Sequence, residues 1–363
     1  MKIFTISTFW NAGNHVKNCI ESLKNQYYTN FTSYFIDDVS TDDSYEIARK
    51  TIDDDERFIL IRNKEKKLSR MKIVALIVTH NRLPLLQEAI AALQQQTMPL
   101  EILVVNNGST DGTADWLASQ NVQVVTQNNE GASGGFFTGI QQAYQQGADW
   151  IWAMDDDTIP TPTALEELIQ VAEKCQQQSI PVGFLVSQAN WIDGQAHFMN
   201  IPDFKSSSSI ISSMNGREVR SASFVSLLIS KQAVATCGLP IREFFIWADD
   251  TEYTTRITES GLAGIYVSAS VVLHKTASNY SADIYEAKPQ EALKHFYGIR
   301  NKLYCRRKWK GEFSFWRNIF KHLFVFPFRI LRKRRSHRWK FILINWRATL
   351  AALFFNPSIQ LPA

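Results

Sequence analysis

Three consecutive acids, Asp155, Asp156 and Asp157, follow an apolar stretch of strand length that begins at Trp150. Clustered carboxylates repel one another, so keeping all three ionised is costly without a cation. Because side chains alternate along an extended segment, Asp155 and Asp157 can face one ion while Asp156 points away. Oxygen ligands of this kind suit Mg²⁺ or Mn²⁺. The pattern predicts a divalent-metal site; the alternative is an acidic cap for the helix predicted over 163–174.

A second pair of acids, Asp249 and Asp250, follows Trp247 in an aromatic segment. A carboxylate beside apolar rings is desolvated, and its pKa rises toward values that suit a general base. The pattern therefore predicts a proton acceptor at this position. The alternative is the start of a helix, with one of these acids as its cap and Arg256 as an ion-pair partner.

Glycines are concentrated in the segment that begins at Asn129, where they include Gly131, Gly134 and Gly135. Glycine lets backbone N–H groups approach a phosphate closely, and the N-terminus of a following helix favours negative charge. The segment therefore predicts a phosphate-binding site, and the alternative is a glycine-rich turn without a ligand.

His274 ends an apolar run over 265–273 that has the length of a strand. A single histidine in this position is either a structural residue or a metal ligand. Its role depends on which other residues the fold places beside it.

The elements that would position these groups occur twice, with an offset of 69–70 residues. Each copy has an apolar run, an asparagine (Asn11 or Asn81), a helix-period stretch, a second strand, another helix and a third strand. The strands are predicted over 3–9, 34–39 and 58–61 in the first copy, and over 73–79, 102–106 and 122–125 in the second. Strands that alternate with helices predict βαβ units and a parallel sheet. The first copy ends near Asn63 without the acidic motifs, so we expect it to be a truncated duplicate without catalysis.

The order of these motifs resembles that of inverting family 2 glycosyltransferases with the GT-A fold. Their landmarks correspond to Thr79-His80-Asn81-Arg82 (T-x-N-R), Asn106-Asn107-Gly108-Ser109-Thr110-Asp111 and Asp155–Asp157 (D-x-D). The segment W-x-D-D-x-E-Y-x-x-R at 247–256, the loop N-x-G-x-x-G-G-F at 129–136 and His274 resemble galactofuranosyltransferases in particular. The resemblance implies an α/β fold with a Rossmann-like, mixed and mostly parallel sheet flanked by helices. A truncated GT-A repeat would precede it and a basic helical tail would follow.

Carried over residue by residue, the resemblance implies three groups of site residues. The residues implied for donor binding are Thr79, Asn81, Arg82, Asn107, Asp111, Asn129, Gly134, Gly135 and Asp156. The implied ligands of a Mn²⁺ or Mg²⁺ ion are Asp155, Asp157 and His274. Asp250 is the implied catalytic base, with Trp247 and Asp249 in the acceptor pocket. Family members usually carry Asp at position 106; the Asn106 amide keeps hydrogen-bonding capacity but loses the charge.

These roles imply a metal-dependent glycosyltransferase that inverts the anomeric configuration. The resemblance favours UDP-galactofuranose as the nucleotide-sugar donor and a lipid-linked oligosaccharide as the acceptor, in the synthesis of a bacterial surface polysaccharide such as O-antigen. A rhamnosyltransferase that uses dTDP-rhamnose has a similar motif layout and is one alternative. A non-catalytic scaffold derived from a glycosyltransferase is the other, and the intact acidic motifs argue against it.

Charge is distributed unevenly along the 363 residues. Residues 300–347 contain sixteen Lys or Arg and a single acid, Glu312, which gives about +15, so the rest of the chain carries about −11. Aromatic residues interleave with these cations, as in basic helices that lie on anionic membranes. We expect peripheral attachment to the cytoplasmic face of the inner membrane; the alternative is a helical cap packed on the catalytic domain. We expect no nucleic-acid partner, because the rest of the chain is acidic.

Composition narrows the class of protein further. The chain is 45% hydrophobic and 20% charged, which is typical of a folded protein. Its four cysteines form no C-x-x-C pair, so we expect neither a disulfide framework nor a zinc ribbon. No apolar run is long enough to span a membrane, and the first residues lack a signal-peptide pattern. We expect a truncated repeat over 1–70, a catalytic domain over 71–284 and a membrane-associating helical region over 285–363.

Overall fold

The computed structural model describes residues 2–63, 71–206, 209–279 and 283–362. The chain forms two compact units, Met1–Met71 and Lys72–Ala363. The first unit is a three-stranded parallel sheet with two helices. Its elements are β1 (Ile3–Phe9), α1 (Asn14–Lys24), β2 (Phe31–Asp37), α2 (Ser44–Ile52) and β3 (Phe58–Arg62), with the strands in the order β1-β2-β3.

Both helices of the first unit pack on one face of its sheet. Ile20 of α1 meets Phe35 and Phe58 in a small apolar core. Because side chains alternate along a strand, Phe4 and Ile6 of β1 lie on the opposite face, where they are exposed. The second strand begins earlier than the expected 34–39 and ends at Asp37, because the residues after Asp37 form a hydrogen-bonded turn.

The second unit is built on a mixed sheet of ten strands among the described residues. These are β4 (Ile73–Thr79), β5 (Glu101–Asn107), β6 (Gln123–Gln127), β7 (Trp150–Asp155), β8 (Thr158–Pro160), β9 (Val182–Asn190), β10 (Asp203–Phe204), β11 (Gly216–Ser221), β12 (Leu227–Ser230) and β13 (Ala263–His274). Their order is β10-β11-β13-β9-β12-β7-β4-β5-β6, and β8 pairs with β13. Strands β4, β5, β6, β7, β9 and β13 share one direction.

Helices flank this sheet. They are α3 (Leu83–Gln94), α4 (Thr113–Leu117), α5 (Gly131–Gln145), α6 (Ala164–Gln177), α7 (Ser209–Ser213), α8 (Lys231–Cys237) and α9 (Asp249–Glu259), with 3-10 turns at Phe198–Asn200, Arg242–Phe244 and Pro289–Glu291. Every residue of the central strand β4 is buried, which explains its uninterrupted apolar sequence. The expected α/β class with a mostly parallel sheet is confirmed.

The C-terminal region is helical, as expected. It consists of α10 (Ala292–Phe320), a π-helical turn (Lys321–Val325), α11 (Phe326–Lys333) and α12 (Arg338–Phe354). Helix α10 contains a break at Gly311, where φ is +76°. Helix α12 packs on α10, with Ala352 against Phe315 and Ile319. Within the described residues, no helix combines the length and apolar character needed to cross a membrane.

One face of these helices carries a line of exposed aromatic side chains, which we call the aromatic row. Its members are Phe313, Trp316, Phe320, Phe324 and Phe328, each between 55% and 82% exposed. Their spacing of three or four residues places them along one side of a helix. Within the row, the rings of Phe320 and Phe324 are in contact, with their centroids 4.9 Å apart.

The two copies of the repeat share a turn held by an asparagine. Asn81 Oδ1 accepts a hydrogen bond from the Thr110 N–H at 2.7 Å, and Asn11 Oδ1 accepts one from the Thr41 N–H at 2.8 Å. Both asparagines have positive φ, a conformation that asparagine tolerates better than most residues. The repeat in the sequence thus corresponds to a repeated local structure.

Candidate active site

The first acidic motif lies at the carboxyl edge of the large sheet. β7 ends at Asp155, beside the end of the parallel strand β4. β13 reaches the same place because its last residue, His274, pairs with Thr158 of β8. One ligand atom from each of Asp155, Asp157 and His274 lies within 4.8 Å of the other two. The fold therefore brings together two acids and an imidazole that are far apart in the sequence.

Asp157 is held between two basic side chains. Its Oδ2 accepts a hydrogen bond from Arg82 Nη1 at 2.5 Å, and its Oδ1 lies 3.1 Å from His274 Nε2. Burial acts to raise the pKa of Asp157, but His274 and Arg82 outweigh it and hold that pKa below its usual range. Oδ1 is buried and accepts no hydrogen bond from any described residue. The ionised carboxylate thus has one oxygen available for a ligand.

The His274 ring is oriented by residues that the sequence did not single out. Its Nδ1 lies 2.8 Å from Asn200 Oδ1, and Asn200 Nδ2 donates to Ser223 Oγ at 2.8 Å. Because an amide oxygen only accepts, Nδ1 carries a hydrogen, and this contact directs Nε2 at Asp157 Oδ1, 3.1 Å away. An imidazole nitrogen and carboxylate oxygens are ligands that divalent cations take, so this donor set fits a divalent metal ion.

Asp155 and Asp156 have different surroundings. Burial, reinforced by the charge of Asp157, raises the pKa of Asp155 to about 7. Burial also raises the pKa of Asp156, to about 6. Asp156 accepts hydrogen bonds from Thr79 Oγ1 at 2.8 Å and Arg82 Nη1 at 3.3 Å. Asp156 is therefore hydrogen-bonded by residues at and just after the end of β4. Asp155, Asp157 and His274 form a separate group, which we call the metal-type cluster.

Asn107 and Asn129 secure the segment that leads into α5. Asn107 Nδ2 donates to the Gly131 oxygen at 2.9 Å, and its Oδ1 accepts from the Glu130 N–H at 3.1 Å. His80 lies between the two asparagines. Its Nδ1 is 2.9 Å from the backbone oxygen of Asn107, and its Nε2 is 3.2 Å from Asn129 Nδ2. His80, Asn107 and Asn129 all line the same cavity. His80 was the unspecified residue of the T-x-N-R motif, so the sequence pattern did not identify it.

Asp111 and Asn81 hold loops beside the site. The Asp111 carboxylate accepts from the Leu83 N–H at 3.0 Å and from Thr113 Oγ1 at 2.5 Å, which caps the starts of α3 and α4. The Asn81 side chain accepts a hydrogen bond from the Thr110 N–H within its turn. Both side chains are exposed, and their contacts stabilise the loops that carry Arg82.

Gly134 and Gly135 lie inside α5 and are buried. A Cβ atom at Gly135 would lie 2.3 Å from Val78 Cγ1, and one at Gly134 would lie 2.5 Å from Glu130 Cβ. Gly135 therefore lets α5 pack closely against β4, and Gly134 leaves room for the Glu130 side chain at the start of the helix. The start of the helix, at Gly131 and Ala132, lines the cavity instead.

A loop with unusual backbone geometry carries the second acidic pair. Phe245, Trp247 and Ala248 have φ values of +66°, +66° and +68°, which non-glycine residues rarely adopt. Asp249 and Asp250 follow at the start of α9. Burial, with a contribution from the charge of Asp250, raises the pKa of Asp249 to about 7. Burial also raises the pKa of Asp250 above its usual range.

One cavity of about 1200 Å³ joins the two acidic groups. Its walls include Thr79, Arg82, Asp155–Asp157 and His274 on the sheet side, and Trp247–Asp250 on the loop side. The negative charge of Asp155 contributes to the raised pKa of Asp249, so the two groups interact across this space. The cavity is large enough for a ligand the size of a nucleotide sugar.

Helix α10 donates hydrogen bonds to the backbone of the loop that carries Phe245, Trp247 and Ala248. Asn301 Nδ2 donates to the backbone oxygens of Phe244 at 2.9 Å and Trp247 at 2.9 Å. Arg300 Nη2 donates to the Glu243 oxygen at 2.6 Å. Gly298 leaves room for the Trp247 ring, because a Cβ atom there would lie 2.7 Å from Trp247 Cε3. The local sequence around these helix residues does not indicate such a role.

Comparison with known protein families agrees with this architecture. Residues 5–70 and 74–234 match the model of glycosyl transferase family 2, so both copies of the repeat match it. The chain belongs to glycosyl transferase family 2. The matched residues include β4 from its second residue onward, strands β5 to β7 and the Asp155–Asp157 motif.

The individual proteins that resemble this chain share 13–26% of its sequence in the following three cases. Galactofuranosyltransferase GlfT1 of Mycolicibacterium smegmatis is 26% identical over 258 residues, which cover 64% of this chain and 82% of that protein. Undecaprenyl-phosphate mannosyltransferase of Micrococcus luteus is 25% identical over 131 residues, 33% of this chain and 53% of that protein. The crystal structure of GalNAc-T7 with UDP, GalNAc and Mn²⁺ aligns at 13% identity with a TM-score of 0.49, over 78% of this chain and 55% of its own.

Proposed function

We propose that this glycosyltransferase moves galactofuranose from UDP-galactofuranose to a lipid-linked oligosaccharide and inverts the anomeric configuration. The choice of sugar is supported by the 26% identity to a galactofuranosyltransferase, over 82% of that protein's length. A lipid-linked acceptor is supported by the similarity to the undecaprenyl-phosphate mannosyltransferase. The observation that carries the proposal is that the metal-type cluster and the Asp249–Asp250 pair line one cavity.

In this proposal Asp155, Asp157 and His274 hold a divalent cation, Mn²⁺ or Mg²⁺. When bound, such an ion supplies Lewis-acid stabilisation of the departing diphosphate. Arg82 keeps Asp157 ionised and in place through its 2.5 Å hydrogen bond. Asn200 keeps His274 Nε2 directed at the cluster by binding Nδ1.

Asp250 is the proposed general base. Its carboxylate accepts the proton of the acceptor hydroxyl as the hydroxyl oxygen bonds to the anomeric carbon. The bond from that carbon to the diphosphate oxygen breaks on the opposite face, and the nucleoside diphosphate leaves with the bonding electrons. No protein nucleophile takes part, so the configuration inverts once. Trp247 and Asp249 shape the pocket in which the hydroxyl is presented.

The remaining residues proposed for binding of the nucleotide sugar fall into two groups. We assign the nucleotide to the wall formed by Thr79, Arg82, Asn107 and Asn129, with Asp156 facing the ribose or the sugar. Asn81, Asp111, Gly134 and Gly135 support this wall through the loop and helix contacts described above. These four residues then affect donor binding through the shape of the wall.

We propose that the first unit has no catalytic role. It ends before any counterpart of the Asp155–Asp157 motif. At the end of β2, the strand that corresponds to β5 of the second copy, the first unit carries Asp37. This carboxylate is buried and pairs with Arg62 at 3.1 Å. Ser40 also donates to Asp37, so this carboxylate is used within the unit.

We also propose that the aromatic row and the surrounding cations attach the chain peripherally to the cytoplasmic face of the inner membrane. Exposed aromatic rings beside Lys and Arg side chains suit the headgroup region of an anionic bilayer. Such attachment would present the active-site cavity to an acceptor anchored in the same membrane.

The test is transfer by the purified full-length chain from a panel of nucleotide sugars to a diphosphate-linked lipid glycan. We expect product from UDP-galactofuranose, with the inverted configuration in the NMR spectrum, and none from dTDP-rhamnose. Transfer from dTDP-rhamnose alone would replace the donor assignment. Transfer from no donor, in the presence of Mn²⁺ or Mg²⁺, would favour the scaffold alternative.

A further inference from the structure

We infer that helix α10 carries a binding site for the diphosphate that joins the acceptor glycan to its lipid. The site consists of Lys302, Arg306, Trp309 and Lys310, which we call the α10 anion site. This inference rests on the proposed function, because it identifies the part of the acceptor that the chain recognises. It assigns a role to cationic residues that the sugar-transfer mechanism does not use.

The four residues lie on one side of the helix. Lys302, Arg306 and Lys310 recur at intervals of four positions, which places them along one face. All four α10 anion-site residues line the cavity that also contains Asp249 and Asp250. At about 1.5 Å of rise per residue, the three cations span roughly 12 Å along the helix. This length is sufficient for a diphosphate.

These side chains make no direct polar contact in the described part of the chain. None of the three cations forms an ion pair or hydrogen bond there, whereas the neighbouring Arg307 pairs with Glu312 at 2.5 Å. The indole Nε1 of Trp309 is buried and donates to no described acceptor. A buried donor without an acceptor is unfavourable unless a ligand satisfies it. Three such cations and one N–H donor together suit an anion with several oxygens.

The position of the site favours the acceptor over the donor. In the proposed function, the donor diphosphate lies beside Arg82 and the metal-type cluster, on the sheet side of the cavity. On α10, Lys302 directly follows Asn301. The Asn301 side chain donates to the backbone oxygen of Trp247, in the loop that leads to Asp249 and Asp250. Beyond the break at Gly311, the chain continues into the aromatic row, which begins at Phe313, three residues after Lys310.

The order of features from the start of α9, through the α10 anion site, to the aromatic row matches the order of groups in a lipid-linked glycan. The base Asp250 is placed for the sugar hydroxyl, the α10 anion site for the diphosphate, and the aromatic row for the lipid. An anionic phospholipid headgroup would offer similar oxygens, but it would lack a glycan that extends to the acidic pair. We therefore assign the site to the acceptor linker.

A binding measurement without sugar transfer tests the inference. The probe is farnesyl diphosphate, with farnesol as the uncharged counterpart, added to the full-length chain and followed by calorimetry. Arg306→Gln with Lys310→Gln should weaken farnesyl diphosphate binding about tenfold or more, because two charge-assisted contacts are lost. Arg307→Gln with Lys308→Gln removes the same charge from the same helix outside the cavity and should change binding little.

Equal weakening by both double variants would overturn the inference, because it would indicate a general charge effect. Unchanged binding in the Arg306/Lys310 variant would overturn it as well. Phosphatidylglycerol vesicles form a third arm. If that variant lost vesicle binding but kept farnesyl diphosphate binding, the site would belong to the membrane surface and the inference would fail.

Steady-state kinetics provide a second readout. In the Arg306/Lys310 variant, the KM for a diphosphate-linked acceptor should rise about tenfold. The KM for UDP-galactofuranose and for a neutral alkyl glycoside acceptor should stay within about twofold. If the wild-type chain bound farnesyl diphosphate through these residues yet transferred no sugar, the α10 anion site would stand and the proposed function would fall.

Discussion

Asn301 of α10 donates a hydrogen bond from Nδ2 to the backbone oxygen of Trp247 at 2.9 Å. The same amide donates to the oxygen of Phe244, also at 2.9 Å. One buried side chain therefore connects the C-terminal helix to the loop that presents Asp249 and Asp250. Backbone conformations of the kind seen at Trp247 cost about 1–3 kcal/mol each and persist only where neighbours hold them.

Replacing this side chain should uncouple the loop from the helix. We expect Asn301→Ala to lower kcat/KM roughly tenfold or more, because the acceptor hydroxyl would be positioned less accurately. The lost hydrogen bonds should also reduce the free energy of unfolding by about 1–3 kcal/mol. Asn318→Ala is the matched control, since Asn318 on the same helix donates to its local Ser314 oxygen at 2.7 Å and to no other described residue. A lower Tm with unchanged kcat/KM would show that Asn301 has a purely structural role.

Transfer should depend on pH through the second acidic pair. Burial raises the pKa of Asp250 above its usual range and that of Asp249 to about 7. A general base must be deprotonated, so kcat/KM should fall as the pH drops through the apparent pKa of the pair. Asp249→Asn should leave an acid limb in place, because burial is the main cause of the raised pKa of Asp250. The measurement is the pH profile of kcat/KM, and a flat profile between pH 5 and pH 8 would contradict it.

The role of Asp250 is tested separately by Asp250→Asn. The substitution preserves shape but removes the proton acceptor, so we expect kcat to fall by about 10²-fold or more while donor binding is retained. Donor affinity, measured by calorimetry with UDP, should change little. Turnover close to that of the wild type would exclude Asp250 as the base.

Metal binding should be visible as thermal stabilisation. Burial, together with the charge of Asp157, raises the pKa of Asp155 to about 7, so its ionisation costs the metal-free fold stability. This group's favourable contribution is complete below about pH 4 and is lost as the pH rises through about 7. Mn²⁺ competes with the proton, so the gain in Tm on adding Mn²⁺ should be larger at pH 8 than at pH 6.

Two variants make the metal prediction specific. His274→Ala should abolish most of the Tm gain from Mn²⁺, because it removes one of three ligands. Asp115→Asn alters an exposed acid of α4 and should leave the gain intact. EDTA should remove transfer activity, and Mn²⁺ or Mg²⁺ should restore it. Full activity in EDTA would remove the metal role from Asp155, Asp157 and His274.

The aromatic row should contribute to membrane attachment. Phe320→Ser with Phe328→Ser removes two rings that are 59% and 72% exposed, so vesicle binding should weaken by about tenfold without a fall in Tm. Phe4→Ser with Tyr27→Ser removes two exposed rings from the first unit and should leave vesicle binding unchanged. Sedimentation with phosphatidylglycerol vesicles measures the effect. Equal binding by both variants and the wild type would exclude the row as a membrane contact.

Local patterns in the sequence determined the elements and much of the chemistry. Apolar runs of strand length predicted β1, β4, β5 and β13. The run in β4 is uninterrupted because a buried parallel strand needs apolar side chains on both faces. The offset of 69–70 residues corresponds to a repeated turn, since Asn11 and Asn81 make the same hydrogen bond. The acids at 155–157 indicated a cation because neighbouring carboxylates repel one another whatever the tertiary structure around them.

Only the tertiary structure decided which residues share the cavity and what each does there. Asn200 orients His274 and Asn301 holds Trp247, yet each partner is distant in the chain. Gly135 allows close packing of α5 on β4 and Gly134 leaves room for Glu130, contacts that a glycine-rich sequence does not reveal. The physical reason is that hydrogen-bond partners, burial and close approach arise from packing between elements, and a periodic pattern specifies only the faces of each element.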